Sequence, residues 1–219
     1  MYFRDRADAA TELVRRLSHY ANNPTVIVLG LARGGVPVAA EVAPALGALL
    51  DVFVVRKLRL PGYEEIGYGA IASGGYQVCD SSVVEQLRIP DEALEAIRDR
   101  EFRELQRREQ IYRGGLPPVS VNGRTVILVD DGILTGFSMR AAIVALRPHH
   151  PARVVVAVPV APNVSLRKIE QEADEVICVD ARGMFRAVEE FYEDFQVPTD
   201  QEVTRLLLST NLRASAHTA

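Results

Sequence analysis

Cysteine and tryptophan are scarce in this chain of 219 residues, which has two of the first and none of the second. Cys79 and Cys178 lie far apart, so they provide neither the close spacing of a cysteine metal site nor the density of a disulfide-stapled secreted domain. We therefore expect both thiols to pack among apolar side chains. A hydrophobic core, rather than cross-links, should hold the fold together.

Long apolar segments and an excess of positive charge are also missing. No hydrophobic run approaches the ~20 residues that span a bilayer, and residues 1–5 lack the apolar core of a signal peptide. The formal charge is −4 and the pI is about 5.6, so the chain as a whole does not attract nucleic acid or an anionic membrane surface. These absences predict a cytoplasmic protein with no nucleic-acid and no membrane partner.

Short apolar runs and helical patterns alternate along most of the chain. The apolar runs are nearly continuous in β-branched and aliphatic residues, which is typical of strands covered on both faces. Strand, helix and strand repeated at this spacing predict an α/β fold: a doubly wound, mostly parallel sheet of five strands with right-handed crossovers. The apolar runs are Val26–Leu29, Val52–Val55, Val126–Val129, Val154–Val158 and Val176–Val179, and the helical patterns cover residues 5–20, 36–46, 138–146 and 165–172.

Two segments interrupt this alternation. Residues 58–79 contain six prolines and glycines, too many for a helix, and predict a flexible loop over about 58–70 followed by a short hairpin. Residues 81–113 predict a helical insert. Acidic and arginine side chains at i, i+4 spacing in this insert, such as Glu104 and Arg108, favour a solvated, self-paired face over a nucleic-acid patch.

The most informative stretch runs from Thr125 to Met139. It predicts a buried strand that ends in Asp130 and Asp131, a short glycine-containing loop, and then a helix. Ligands of open α/β sheets bind at the carboxyl ends of strands, and unpaired N–H groups at a helix N-terminus favour phosphate. A sugar phosphate satisfies both features, with its hydroxyls on the two carboxylates and its phosphate in the loop. A simple helix cap at Ser138 explains the hydroxyl there but not two consecutive carboxylates.

This stretch resembles the signature of the type I phosphoribosyltransferases, in which a hydrophobic strand, two acidic residues and a threonine-glycine loop follow one another. The resemblance implies that Asp130 and Asp131 hold the ribose hydroxyls of the donor. It also implies a 5-phosphate loop made of Leu134, Thr135, Gly136, Phe137 and Ser138. Phe137 departs from the small residue that is usual in such a loop. Leu134 stands where hypoxanthine-guanine relatives have an aspartate, which argues against that specificity.

Two further strand ends resemble elements of the same family. After the first run, Arg33, Gly34 and Gly35 resemble its pyrophosphate loop, although a tight turn into a helix would be the preferred interpretation without the acidic motif. After the second run, Arg56 and Lys57 resemble the Arg-Lys element of adenine-type phosphoribosyltransferases, which precedes a flexible loop. Lys57 is one of only two lysines among 25 basic residues, which sets it apart.

The likeness to a group of bacterial predicted phosphoribosyltransferases covers almost the entire chain. We expect a single domain over residues 1–210, with a C-terminal hood segment at about 181–200, and a frayed tail at 211–219. Within the hood, Phe185 is a candidate platform for stacking on a base, and core packing is the equal alternative. The resemblance also implies a homodimer.

As a whole, the resemblance implies an enzyme that uses 5-phosphoribosyl 1-pyrophosphate and Mg²⁺ to transfer a phosphoribosyl group to a nitrogenous base or amine. Asp130, Asp131, Arg56 and Lys57 would be its catalytic residues, and Mg²⁺ would be bound through the donor and waters near the two aspartates. A regulator of the same fold that binds the donor or a nucleotide without transfer is the main alternative. A serine hydrolase is a more distant one, because Ser138 stands in a partial Gly-x-Ser motif that closes on Arg140 instead of glycine.

Overall fold

The computed structural model describes residues 1–60 and 63–216. The strands are β1 (Val26–Ala32), β2 (Leu49–Leu60), β3 (Tyr63–Ala72), β4 (Gln77–Cys79), β5 (Thr125–Val129), β6 (Arg153–Pro162) and β7 (Glu175–Arg182). The helices are α1 (Arg6–Leu17), α2 (Gly35–Leu46), α3 (Ser81–Gln86), α4 (Asp91–Arg113), α5 (Phe137–Leu146), α6 (Asn163–Ile169) and α7 (Asp200–Ala216). None of these helices is long and apolar enough to cross a membrane.

One mixed sheet contains all of these strands, in the order β4-β3-β2-β1-β5-β6-β7. The five apolar runs of the sequence form β1, β2, β5, β6 and β7, which pair with one another in parallel. The predicted α/β class is therefore confirmed. The predicted number of five strands was wrong, because β3 and β4 extend the sheet in antiparallel pairing beyond β2.

The added strands occupy the segment that the sequence predicted to be a loop over 58–70. β2 continues past Val55 to Leu60, and β3 pairs back along it; residues 61 and 62 of the predicted loop lie outside the described residues. Gly69 permits the close approach of β4, since a Cβ at that position would lie 2.5 Å from the carbonyl oxygen of Val78. Gly69 therefore serves strand packing, where a side chain would collide with the neighbouring backbone.

Both faces of the parallel sheet are covered, which explains why the apolar runs do not alternate with polar residues. One core lies between the sheet and α1, α2, α4 and α7, and a second core lies between the sheet and α5 and α6. Within β1, Val28 belongs to the first core while Ile27 and Leu29 belong to the second. The carboxyl ends of the central strands are thereby fixed at one edge of a sheet that is packed on both sides.

The sequence analysis did not predict α7, and the expected tail from residue 211 is helical as far as Ala216. Val203 and Leu207 of this helix are buried in the first core. Asn211, within the expected tail, donates from Nδ2 to the Leu50 carbonyl oxygen at 3.0 Å and accepts from the Leu50 N–H at 3.3 Å. A polar residue of the segment expected to be unstructured, Asn211, is therefore used in contacts with β2.

The hood segment is joined to the N-terminus of the chain. Phe3 forms a β-bridge with Tyr192, its N–H donates to the Phe191 carbonyl oxygen at 2.8 Å, and its own carbonyl oxygen accepts from the Glu193 N–H at 2.9 Å. A small aromatic cluster of Phe3, Phe185, Phe191, Tyr192 and Phe195 surrounds this junction. The first helix is thus tied to the segment that borders the site.

Candidate active site

The three strand ends that the sequence singled out meet at one cavity. The segment after β1 contributes Arg33 and Gly34, the end of β2 contributes Arg56 and Lys57, and the segment after β5 contributes Asp130 and its neighbours. This cavity has a volume of about 900 Å³. A smaller cavity of about 390 Å³ is lined by residues 132–136, 138 and 139 and shares six residues with the larger one: Lys57, Arg59, Asp130, Gly132, Leu134 and Ser138.

The large cavity is locally positive although the chain as a whole is negative. Eight basic side chains line it, against four acidic ones. The basic residues are Arg6, Arg33, Arg56, Lys57, Arg59, Arg100, Arg108 and Arg186, and the acidic ones are Glu101, Asp130, Asp131 and Glu189. A cleft with this excess of cations attracts an anion that carries several charges.

The two glycines after β1 are required by the close approach of this loop to the acidic pair. A Cβ on Gly34 would lie 2.1 Å from Asp131 Oδ2, and a Cβ on Gly35 would lie 2.3 Å from the Val129 carbonyl oxygen. The peptide bond between Ala32 and Arg33 is cis. Any side chain at Gly34 or Gly35 would displace the acidic segment. Close packing against this segment, and not only a tight turn, explains why both positions are glycine.

Asp131 is buried and held by Arg6 and Tyr192. Arg6 donates from Nε and Nη2 to Asp131 Oδ2 at 2.9 and 2.8 Å, while Arg6 Nη1 donates to the Gln196 carbonyl oxygen at 2.8 Å. The guanidinium carbon of Arg6 lies 4.0 Å from the centre of the Phe195 ring. The Tyr192 hydroxyl donates to the Asp131 carbonyl oxygen at 2.5 Å. Asp131 is thus fixed in place by α1 and by the hood.

Sequence reasoning missed Arg6, although a signal for it exists. Arg6 lies on the same helical stripe as Ala10, Leu13 and Leu17, which are fully buried. A charged residue on the buried stripe of an amphipathic helix needs a buried partner, because an unpaired charge in such a place is costly. The partner, Asp131, is 125 positions away along the chain. It could not be identified without the fold.

Asp130 has the opposite electrostatic environment. Its Oδ1 accepts from the Asp131 N–H at 2.9 Å. Desolvation, and then the neighbouring Asp131 charge, raise the pKa of Asp130 well above its usual range, and the charge of Lys57 opposes this only in part. Two adjacent carboxylates therefore differ in what compensates them: Asp131 has a guanidinium, whereas Asp130 has no such ion pair among the described residues. A ligand that brings hydroxyls or a cation would relieve this cost.

The loop between β5 and α5 presents free donors. Within the described part of the chain, the backbone N–H groups of residues 135–138 donate to no protein acceptor. Gly136 adopts φ +84° at the start of α5, and the Ser165 hydroxyl fixes the loop by donating to the Leu134 carbonyl oxygen at 2.6 Å. Phe137 packs against the second core and lines neither cavity, so its ring leaves the loop open.

Arg56 and Lys57 emerge from β2 in different surroundings. Arg56 donates to Glu101 Oε2 of α4, from Nε at 2.9 Å, and pairs with the same oxygen through Nη2 at 2.6 Å. Lys57 is exposed and lines both cavities, and so does Arg59, two residues further along the strand. Arg59 is a second cavity residue that the sequence analysis did not select. Its period-2 spacing from Lys57 was the available signal.

Phe185 does not line either cavity and lies edge-on to Phe191, with 4.7 Å between ring centres. This geometry favours the packing alternative over the base-platform prediction. The aromatic residue of the hood that lines the large cavity is Phe195, which stacks on Arg6. Glu189 and Val188 of the hood line it as well.

The arrangement of Ser138, His149 and His150 does not fit a hydrolase, and the third histidine that follows Ser138, His217, lies outside the described residues. Ser138 lies in the first turn of α5, whereas His149 and His150 follow the far end of that helix and are exposed. At 1.5 Å per helical residue this separation is roughly 15 Å, too far for a histidine to accept the serine proton.

A site built wholly from protein ligands for a metal is not present among the described residues, which contain no group of three or more histidine, cysteine, aspartate and glutamate side chains able to hold an ion. Asp130 and Asp131 offer carboxylate oxygens of the kind that Mg²⁺ prefers.

A model of the phosphoribosyl transferase domain family matches residues 3–196, and the chain belongs to this family. It is 41% identical over 205 residues to a Mycobacterium tuberculosis H37Rv protein named "Putative phosphoribosyl transferase Rv0571c". That match covers 94% of this chain and 46% of the other protein, so the chain spans about half the length of the curated relative. Among solved structures, TT1426 from Thermus thermophilus is 40% identical with a TM-score of 0.77, over 95% of this chain and 99% of that one.

Proposed function

We propose that this protein transfers the phosphoribosyl group of 5-phosphoribosyl 1-pyrophosphate to a nitrogenous acceptor, with Mg²⁺ bound and pyrophosphate released. The observation that carries this proposal is the convergence of three strand ends on one cavity whose cations outnumber its carboxylates, with Asp130 and Asp131 among its lining residues. A sugar that is phosphorylated at both ends matches this charge pattern. The phosphate groups of such a sugar would bind arginine, lysine and free backbone amides, and its diol would bind aspartate.

The 5-phosphate is assigned to the smaller cavity. Thr135, Gly136 and Ser138 line it at the beginning of α5, and their backbone N–H groups are free within the described part of the chain. Thr135 and Ser138 add side-chain hydroxyls. Phosphate at such a helix start is stabilised by the N–H groups and by the helix dipole. Binding energy at this end, remote from the reacting carbon, then serves to position the sugar.

The ribose hydroxyls are assigned to Asp130 and Asp131. Because Arg6 occupies Oδ2 of Asp131, the hydroxyl would donate to Oδ1 of that residue. The transition state carries positive charge at the anomeric carbon, and two carboxylates held beneath the ring favour that charge. When bound, Mg²⁺ would supply positive charge that offsets part of the negative charge of the pyrophosphate. Arg33, Arg56 and Lys57 would hold the departing pyrophosphate.

The acceptor is assigned to the hood side of the cavity, where Phe195, Val188 and Glu189 supply an aromatic face, an apolar wall and a hydrogen-bond acceptor. Such a mixed surface suits a planar nitrogenous ring. Phe195 thus replaces Phe185 as the proposed stacking residue. The homodimer implied by the family stays a prediction that sedimentation can test.

Calorimetric titration with the donor and Mg²⁺ tests this function. We expect saturable binding to the wild type and its loss in the double variant Asp130→Asn, Asp131→Asn, with circular dichroism showing that the variant is folded. Asp99→Asn, which changes an exposed carboxylate on α4, is the matched control and should bind normally. Equal binding by all three proteins would place the donor elsewhere.

Pyrophosphate release then separates transfer from regulation. The wild type is incubated with donor, Mg²⁺ and a panel of bases and amines, and released pyrophosphate is measured. We expect acceptor-dependent release. Donor binding without release against the whole panel would favour the regulator that binds and does not transfer.

A further inference from the structure

The helical insert forms one wall of the large cavity. α4 is held firmly against β2: Leu105 is fully buried, and Arg113 donates from Nη2 to the Val52 carbonyl oxygen at 2.6 Å. The helix also contacts α7, where the Tyr112 hydroxyl donates to Asp200 Oδ1 at 2.6 Å. From this fixed helix, Arg100, Glu101 and Arg108 line the cavity. These three residues are therefore part of the site and not only of a solvated face.

Two carboxylates each connect an arginine of a strand end with an arginine of α4. Glu101, whose side chain is 9% exposed, pairs with Arg56 at 2.6 Å and with Arg100 at 3.0 Å. Asp200 lies 3.8 Å from Arg33 Nη1 and accepts from Arg107 Nη2 of α4 at 3.3 Å. Burial opposes ionisation of Asp200, but the Tyr112 hydrogen bond and the charges of Arg108 and Arg33 lower its pKa. Arg33 and Arg107 thus contact the same carboxylate, and Arg108, the next residue on α4, lines the cavity together with Arg33.

Arg33 and Arg56 are the arginines assigned above to the departing pyrophosphate. Arg100 shares Glu101 with Arg56, and Arg108 lines the same cavity as Arg33. Arg108 is 14% exposed at its side chain and is oriented by Glu104, to which its Nε donates at 2.8 Å. An arginine that is already ordered loses less entropy when it binds an anion.

We propose that Arg100 and Arg108 of the helical insert are additional binding residues for the pyrophosphate end of the donor. This inference rests on the proposed function, since it takes the donor to lie in the large cavity with its pyrophosphate beside Arg33 and Arg56. Glu101 holds Arg56 and Arg100 beside each other, and Glu104 orients Arg108, so the insert adds ordered cations to the cavity wall. A sugar phosphate without the pyrophosphate at C1 gains nothing from this wall.

The test uses Mg²⁺ with inorganic pyrophosphate as one probe and ribose 5-phosphate as the other, both titrated calorimetrically into the full chain. Arg100→Gln and Arg108→Gln should each weaken pyrophosphate binding about 10-fold, the loss of one charge-assisted contact, and leave ribose 5-phosphate affinity unchanged. Arg56→Gln is the positive reference. Arg103→Gln is the matched control, because Arg103 lies on the same helix, is exposed and does not line the cavity.

The outcomes distinguish a failure of this inference from a failure of the proposed function on which it rests. If the wild type binds pyrophosphate and Arg56→Gln weakens it, while Arg100→Gln and Arg108→Gln match Arg103→Gln, the insert has no role in binding and only this inference is overturned. If the wild type binds neither pyrophosphate nor the donor, the proposed function fails and this inference fails with it. Equal weakening of ribose 5-phosphate and pyrophosphate would show a general structural effect, which also overturns it.

Discussion

Replacing the two neighbouring aspartates one at a time by asparagine should move thermal stability in opposite directions. The Arg6–Asp131 pair is buried, with side chains only 10% and 12% exposed. Removing one partner of a buried pair costs about 3–5 kcal/mol, because the other charge stays buried without compensation. Arg6 keeps its bond to Gln196 and its contact with Phe195, so we take the lower end, about 3 kcal/mol.

That cost converts into a measurable melting shift. In a chain of this size 1 kcal/mol changes Tm by about 2–4 °C, so Asp131→Asn should lower Tm by roughly 6–12 °C. Asp130→Asn should instead raise Tm at neutral pH, because it removes a carboxyl whose ionised form is disfavoured in the folded state by desolvation and by Asp131. Asp131 therefore stabilises the folded state, whereas the ionised Asp130 destabilises it.

The pH dependence of the Asp130→Asn effect follows from the direction of the pKa shift. A carboxyl whose folded-state pKa is raised contributes stability below its unfolded pKa, and this contribution is lost as pH rises through the folded pKa. The Tm advantage of Asp130→Asn over the wild type should therefore be small near pH 4 and grow towards neutral pH. The assay is scanning calorimetry of the wild type and of Asp130→Asn over this pH range. An Asp130→Asn variant that melts below the wild type at neutral pH would refute the reasoning.

Four further substitutions test the site. Gly34→Ala places a methyl against Asp131 Oδ2, so we expect about 1–3 kcal/mol of destabilisation by chemical denaturation and loss of donor binding by calorimetry. Arg6→Lys keeps the positive charge but loses the two N–H groups directed at Asp131 Oδ2. The free energy of unfolding should therefore fall by about 1 kcal/mol or more. An unchanged Tm would contradict a stabilising role for the Arg6–Asp131 pair. Phe195→Ala should raise the KM for the acceptor with donor affinity unchanged, whereas Phe185→Ala should lower Tm only; the reverse pattern would restore Phe185 as the stacking residue.

The sequence by itself determined the parallel part of the fold. Runs such as Val126–Val129 are apolar at every position because both faces of their strands are buried, and this property can be read without knowing the partners. It also located Asp130 and Asp131, because a strand followed by two carboxylates and a glycine loop is a local pattern. Arg33 and Lys57 were selected by their resemblance to family elements, and they were expected beside Asp130 because the carboxyl ends of parallel strands meet at one edge.

Contacts between distant segments decided the rest. Arg6, Phe195 and Arg108 come from the N-terminal helix, the hood and the helical insert, and each lines the cavity only because separate elements pack beside it. The sequence around Arg6 indicates only a buried helical stripe, and the sequence around Phe195 only an aromatic segment. The sequence around Arg108 indicates a helix face whose charges pair with one another. Whether a charged or aromatic side chain serves packing or binding depends on what lies opposite it in space, and the tertiary structure alone supplies that partner.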